Sequence, residues 1–391
     1  MFLDYTPEQK ALREEIRAYM ARLMTRELQL ELIETHGGGP LYMEAVRTLG
    51  RDGWLGIGYP TEWGGQARGA IDQFIFFDET QATGFPVPIL TLGTVGPMIL
   101  EHCSEAQKKA FLPAILRGEC HFSIGYTEPG AGTDLASLKT TATIEGDEFV
   151  IRGQKIWTSL ADHADYIWLA ARTDPEAPAH AGVSIIIVPA NSPGLQITKI
   201  HAIGDNNTHA VYYDEVRVPV TNLVGTLNGG WKIITGQLNH ERVALNAVGP
   251  IKRLSRETRQ WAARTPSGHG GMMIDLPWVQ ANLARVDARI DVLESMNLRQ
   301  AWAISANRLH PADASAIKVL GSEFYVEGSR LLLEILGEQG TLRTEDEAVA
   351  LQGEIERFYR SSLVLTFGGG TNEVQRDIIS MAGLRMPRAR R

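Results

Sequence analysis

A chain of 391 residues is too long for one small core and divides into two or three packed units of ordinary domain size. Hydrophobic residues at 44% and charged residues at 21% are the proportions of a globular protein. A formal net charge of -8 with no basic stripe excludes a nucleic-acid binder. The only two cysteines, Cys103 and Cys120, form no CxxC pair for zinc and allow one bridge at most. No metal site is expected. The opening MFLDYTPEQK carries acids early and no apolar run, so no signal peptide is expected. The apolar stretch PVPILTLGTVGPMIL is broken by Pro and Gly and is too short to span a bilayer, so a cytoplasmic protein with no membrane partner is expected. The basic tail at Arg385, Arg388, Arg390 and Arg391 reads as a solvated charge cluster.

Residues 1–120 read as a helical domain. Thr6 with Gln9 makes a capping box, and Pro7 takes the first helical position. Leu12, Ile16, Met20 and Leu23 follow at helical spacing, and EAQKKAFLPAIL continues the pattern. RDGWLGIGYPTEWGGQARG is a Gly-rich loop between helices. Near residue 120 the period changes. EFVIRGQKIW, DYIWLAAR, GVSIIIVPA and VYYDEVRVPV are short, rich in Val, Ile, Tyr and Trp, and separated by turns such as Glu145-Gly146-Asp147. This predicts a β domain over 121–230. Helical periods return at Trp231 and run through 231–391. No repeat or low-complexity segment interrupts the order.

Four segments can carry chemistry. In YTEPGAGTD, Tyr126 to Asp134, three small residues follow a proline and let backbone amides approach a ligand. It is neither a P-loop nor a dinucleotide fingerprint, and a plain tight loop is the alternative. In GQKIWTS, Trp157 is followed by the hydroxyls of Thr158 and Ser159. That set suits a flat heteroaromatic ring, or a core Trp. In TFGGGTNEVQRDII, Gly368, Gly369 and Gly370 precede Thr371 and Asn372. This is either an anion-binding helix start or a capping turn.

The fourth is Glu241. In WKIITGQLNHERVALNAV, residues Trp231, Ile234, Leu238, Leu245 and Val248 form one apolar stripe, and Glu241 stands on it. An inward carboxylate must be paired, neutralised or functional. Arg242 lies about 100° around the helix and is not the obvious partner. The choice is between a buried ion pair and a general base whose pKa an apolar pocket raises.

In this order, YTEPGAGTD, QKIWTS and GTNEVQR resemble the acyl-CoA dehydrogenase family, and the resemblance covers nearly the whole chain. It implies the acyl-CoA dehydrogenase fold, with an N-terminal helical domain, a middle β-barrel-like domain and a C-terminal four-helix domain. It implies FAD as cofactor, an acyl-CoA substrate and an electron-transfer flavoprotein as acceptor. Carried over by motif, Tyr126, Thr127 and Thr133 would line the FAD, with Thr133 also near the thioester. Trp157, Thr158 and Ser159 would meet the isoalloxazine. Thr371 and Glu373 would touch the flavin nucleotide, and Arg242 would help hold the substrate.

Two departures matter. Where relatives often carry the catalytic Glu just before the final helix, this chain has Gly369, which leaves room beside the substrate. The branch resembling isovaleryl- and long-chain dehydrogenases carries the base on the earlier helix in a Glu-Arg pair, here Glu241-Arg242. Second, ARTPSGHGGMMIDLP has Arg264 but not the following Phe-Gly that relatives lend to a neighbour's FAD, and EILGEQG puts Glu334 and Glu338 where relatives have Gln and Gly. Acids are poor neighbours for a pyrophosphate. The whole resembles most the catalytic subunit of actinobacterial steroid side-chain acyl-CoA dehydrogenases, which are heterotetramers of two related chains. The alternatives are a short- or branched-chain acyl-CoA dehydrogenase, a flavin monooxygenase and a non-catalytic partner subunit of the same fold.

Overall fold

In the computed structural model, residues 4–35, 37–244, 247–268, 270–306, 308–342 and 349–387 are described, and of 238–244 the backbone alone. The N-terminal part is helical: α1 (Pro7–Leu23), α2 (Arg26–Thr35), α3 (Pro40–Arg51), α4 (Ala70–Gln81), α5 (Gly96–His102) and α6 (Glu105–Leu116). The Thr6–Gln9 capping box is present in both directions at α1, and Leu12, Ile16 and Met20 are its buried stripe. The same device recurs at α6, where Ser104 and Gln107 cap each other. The Gly-rich loop carries only two short 3-10 turns, Trp54–Gly56 and Thr61–Trp63.

The middle part is one mixed sheet of β1 (Phe122–Gly125), β2 (Thr141–Glu145), β3 (Glu148–Ser159), β4 (Tyr166–Arg172), β5 (Val183–Pro189), β6 (Leu195–Ile200), β7 (Thr208–Pro219) and β8 (Leu223–Val224). Its order is β6-β7-β3-β2-β4-β5-β8, with β1 added parallel to β4. Four strands match the apolar runs read from the sequence. β1, β2, β6 and β8 are additional; β6 alternates half-buried with exposed residues and carries little apolar signal. Gly146 turns the β2–β3 hairpin at φ 66°, a conformation glycine takes without a Cβ penalty. On β4, Ile167, Leu169 and Ala171 face one core while Trp168 and Ala170 face the other. β5 divides likewise, with Ile186 and Val188 against Ile185 and Ile187. Both faces are covered, so these strands read as continuous apolar runs rather than as alternation. The second of those cores is shared with the N-terminal helices and with Ile233 and Ile234 of the next helix.

The C-terminal part holds α7 (Gly230–Ala244), α8 (Gly249–Ala262), α9 (Pro277–Ser305), α10 (Pro311–Leu336), α11 (Glu354–Ser362) and α12 (Asn372–Ile378). Helix α7 ends earlier than the apolar stripe predicts. Val248 is fully buried, but it caps α8 instead of continuing α7.

The joint between these helices is held from another part of the chain. Asp78 of α4 is buried, and its Oδ1 accepts from Val248 N at 2.6 Å and Gly249 N at 2.7 Å. A carboxylate at a helix start satisfies orphan amides and favours the dipole. Burial pushes its pKa up to about 6, against the pull of those amides and with a further push from Glu79 and Glu294. The folded value lies above the unfolded one. The fold therefore takes up a proton between about pH 4 and pH 6, and this group's contribution to stability is lost as pH rises through 6. Two units correspond to about 3 kcal/mol. Asp78→Asn, which keeps a carbonyl acceptor without the charge, is expected to lose that slope. Urea unfolding of both proteins at pH 5 and pH 8 checks it; equal slopes would contradict this account of Asp78.

Candidate active site

The segment Tyr126–Asp134 leaves β1 as a loop closed by the reciprocal backbone bonds of Glu128 and Ala131, both 3.1 Å. Beneath it lies a buried ion pair. Lys155 of β3 has no exposed surface; its Nζ donates to Glu128 Oε1 at 2.8 Å and to the Tyr126 carbonyl at 2.9 Å. Glu128 also accepts from Lys139 N at 2.7 Å and Thr140 N at 2.8 Å. Against its own burial, the ammonium and these donors hold Glu128 below the usual carboxylate range. Burial draws Lys155 down, to about 8, against the pull of Glu128. Every polar atom of the pair thus has a charged or main-chain partner.

Two residues beyond Lys155 the strand is irregular. The β3–β7 register shifts between Lys155 and Thr158, and Trp157 sits there at φ 60°. That region costs a bulky residue energy and marks places where surroundings impose a conformation. The result is an indole 54% exposed, a large apolar surface turned outward instead of into the core. The core-Trp alternative is thereby removed. Next to it, Thr158 is fully buried, and its Oγ1 has no hydrogen-bond partner among the described residues. Ser159 is exposed. Ile156 N donates to the Thr127 carbonyl at 2.9 Å, which joins the loop to this strand. The tip at Gly130 and Gly132 is open: an added Cβ would meet nothing within 4 Å at the first and only Thr127 at 4.0 Å at the second. Thr133 is exposed beside it. A flat ring could lie on the exposed indole beside the open small-residue loop, and the unpartnered Thr158 hydroxyl is a buried donor next in sequence to that indole.

The structure turns the Tyr126 phenol away from that surface. It is buried, donates to Gln237 Oε1 of α7, and accepts from Trp168 Nε1 at 3.1 Å. Gln237 is fully buried and stands one turn before Glu241. The backbone of Glu241 and Arg242 belongs to α7, whose Ile233, Ile234 and Gln237 are buried. The side chains of Glu241 and Arg242 lie outside the described residues.

The third region stands apart. Thr371 caps α12 by accepting from Val374 N at 3.3 Å, and Glu373 is exposed in its first turn. Glu373 is held below the usual carboxylate range by its own backbone amide and by Thr371. No hydrogen bond among the described residues joins either to the β domain. Gly369 and Gly370 have φ of 68° and 93°, so the turn itself requires glycine there. The glycine run is thus explained by backbone conformation before any appeal to substrate volume. Among the groups expected to be missing for a neighbour, Glu334 pairs with Arg330 and accepts from Asn282 Nδ2 at 3.1 Å.

Three residues that sequence reasoning passed over support the site. Lys155 has a weak signal, a lysine inside an apolar strand. Gln237 has a clearer one, a polar residue four before Glu241 on the same stripe. Asp78 follows the apolar run FIFF, but its partners lie 170 and 171 residues away.

Models of the acyl-CoA dehydrogenase N-terminal, middle and C-terminal domains match residues 6–119, 123–216 and 228–384. The chain is 51% identical over 404 residues to the acyl-CoA dehydrogenase FadE26 of Mycobacterium tuberculosis, with 100% of each covered. It is 46% identical to FadE29 of the same organism, again over 100% of each. Among solved structures, the ChsE4-ChsE5 complex from M. tuberculosis superposes with a TM-score of 0.94 at 51% identity, and a Tcur3481-Tcur3483 steroid ACAD with 0.94 at 47%; each covers 100% of both chains. With all three domains matched in order along its length, the chain belongs to the acyl-CoA dehydrogenase family.

Proposed function

We propose that this acyl-CoA dehydrogenase binds FAD at the Trp157 surface and oxidises the α,β bond of a steroid side-chain acyl-CoA, with Glu241 as base. The observation that carries the cofactor assignment is the pairing of the outward Trp157 with the buried, unpartnered Thr158 hydroxyl. Members of the family are flavoproteins. Thr127, Thr133, Thr158 and Ser159 would offer hydrogen bonds, and Thr371 and Glu373 would meet the nucleotide end. When bound, the flavin supplies the two-electron acceptor that takes the β-hydrogen as hydride.

The chain's own residues do the rest. Glu241 takes the α-proton as the carbon–carbon double bond forms, and Arg242 and Thr133 hold the thioester end. Helix α7, whose Ile233, Ile234 and Gln237 are packed into the core, carries the base on its backbone. Closure of an apolar pocket over the carboxylate keeps it basic. Electrons then leave to an electron-transfer flavoprotein.

The steroid assignment is supported by likeness to proteins described as steroid ACADs. Those relatives are complexes of two chains. Arg264 without Phe-Gly, and Glu334 and Glu338 on the neighbour-directed segment, favour the same arrangement here. We therefore infer a heterotetramer with a related chain, each FAD site built across an interface of unlike chains.

Two results are expected. Expressed alone, the chain is flavin-poor, and co-expressed with its partner it carries about one FAD per pair of unlike chains. A yellow, active assembly of this chain alone with one FAD per copy would sink the heteromeric reading. On a panel of CoA esters, a steroid side-chain thioester exceeds butyryl-, octanoyl- and palmitoyl-CoA by well over about tenfold in kcat/KM. Apolar pockets give only about 1–3 kcal/mol per methylene, so the whole ring system must contribute. Equal values for octanoyl-CoA and the steroid ester would remove the substrate claim and leave the dehydrogenase.

A further inference from the structure

The buried contact between Tyr126 and Gln237 ties the cofactor loop to the helix of the base. Tyr126 begins the loop that faces the Trp157 surface, and its main-chain carbonyl is gripped by Lys155, two residues from Trp157. Its phenol leaves the loop and reaches α7. The Trp168 indole can only donate, and it donates to the phenol oxygen at 3.1 Å. The phenol in turn donates to Gln237 Oε1. That orients the amide. Gln237 Nε2 has no partner among the described residues, so Tyr126 is the side-chain anchor of a fully buried polar group. Gln237 and Glu241 are four residues apart on one helix, about 6 Å along its axis and on one face.

We infer that Tyr126 and Gln237 are a positioning pair: their hydrogen bond sets the rotation and depth of α7 against the cofactor loop, and so the distance from the base to the reacting carbons. The inference rests on the reading of Glu241 as base and of the loop as the flavin side. Neither residue touches the reacting atoms. A displacement of about 1 Å in such a site costs up to about a hundredfold in rate. The bond is internal to the chain, so its loss lowers kcat and leaves acyl-CoA affinity unchanged.

The test uses the flavin-loaded protein with its partner chain, and the variants Tyr126→Phe, Gln237→Leu and the double variant. Tyr126→Phe removes one oxygen and no volume from the ring, and thermal unfolding verifies that it is folded. Three readouts are taken: kcat and KM separately, flavin content, and the long-wavelength absorbance formed with a 3-thia-acyl-CoA. The 3-thia ester gives up its α-proton but holds sulfur where a hydride would leave, so the absorbance reports base and ring alignment without turnover. Each single variant is expected to lose about tenfold or more in kcat, keep flavin and KM, and weaken the absorbance. The double variant is expected to be no worse than the worse single one, because the two share the Tyr126–Gln237 bond and Tyr126→Phe also takes the acceptor from Trp168 Nε1. Native kcat and native absorbance in the variants would overturn the positioning pair, as would losses that simply multiply. If Gln237→Leu does not fold, Tyr126→Phe decides alone. A native protein that forms no such absorbance and oxidises no CoA ester would overturn the underlying reading, which is a separate result.

Discussion

Replacing Glu241 by Gln is expected to lower kcat by about 100- to 10,000-fold while flavin content and acyl-CoA affinity stay near native. The substitution keeps size and hydrogen-bonding capacity and removes only the ability to take a proton. An effect on kcat and kcat/KM together, with the binding constant unmoved, is the mark of a group that acts in the transition state. The alternative was a buried structural ion pair. Breaking such a pair costs about 3–5 kcal/mol of stability. Thermal unfolding of Glu241→Gln therefore separates the two: lost turnover with native stability identifies a base, and lost stability with residual turnover identifies an ion pair. Near-native turnover would show that the base lies elsewhere.

The second large effect belongs to Lys155. Lys155→Met keeps the apolar stem and removes the ammonium that joins Glu128 to the Tyr126 carbonyl. Glu128 would keep two amide donors but stand buried without a counter-charge. A cost of about 3–5 kcal/mol follows, together with slack in the Tyr126–Asp134 loop and loss of flavin on gel filtration. Adding Glu128→Gln should recover part of the stability, since the uncompensated charge is then gone. Denaturant unfolding of the single and double variants, with flavin-to-protein ratios, checks both statements. A Lys155→Met protein of native stability and native flavin content would contradict them.

Local chemistry was readable wherever one segment decides its own structure. Thr6, Pro7 and Gln9 start α1 because cap, ring and amide act within one turn. Glu145-Gly146-Asp147 turns a hairpin for the same reason. β4 and β5 were visible as apolar runs, although only the fold shows that they are buried on both faces. β6 was missed because only Leu195 and Ile197 pack against a core, and those only half-buried. The site was legible as motifs but not as geometry. Trp157 could have been a core residue; its positive φ falls at a register shift against β7, just before Thr158 pairs with His209, 51 positions onward. Tyr126 matched a cofactor motif, yet its phenol serves α7, because Trp168 and Gln237 meet it only in the folded chain. The glycines before α12 suggested space for a substrate; the positive φ of Gly369 and Gly370 adds a requirement of the turn that the sequence did not show. The start of α8 at Val248 was hidden because Val248 stays buried, held there by Asp78.

The most direct measurement is an anaerobic titration of the flavin-loaded complex with a steroid side-chain acyl-CoA, read by the visible absorbance of the flavin. The account predicts bleaching that needs no added reductant, with one equivalent of the 2,3-unsaturated thioester formed per flavin reduced, and no bleaching on the same timescale in Glu241→Gln. Flavin that stays oxidised in the native complex with every CoA ester offered, or that bleaches as fast without Glu241, would contradict it.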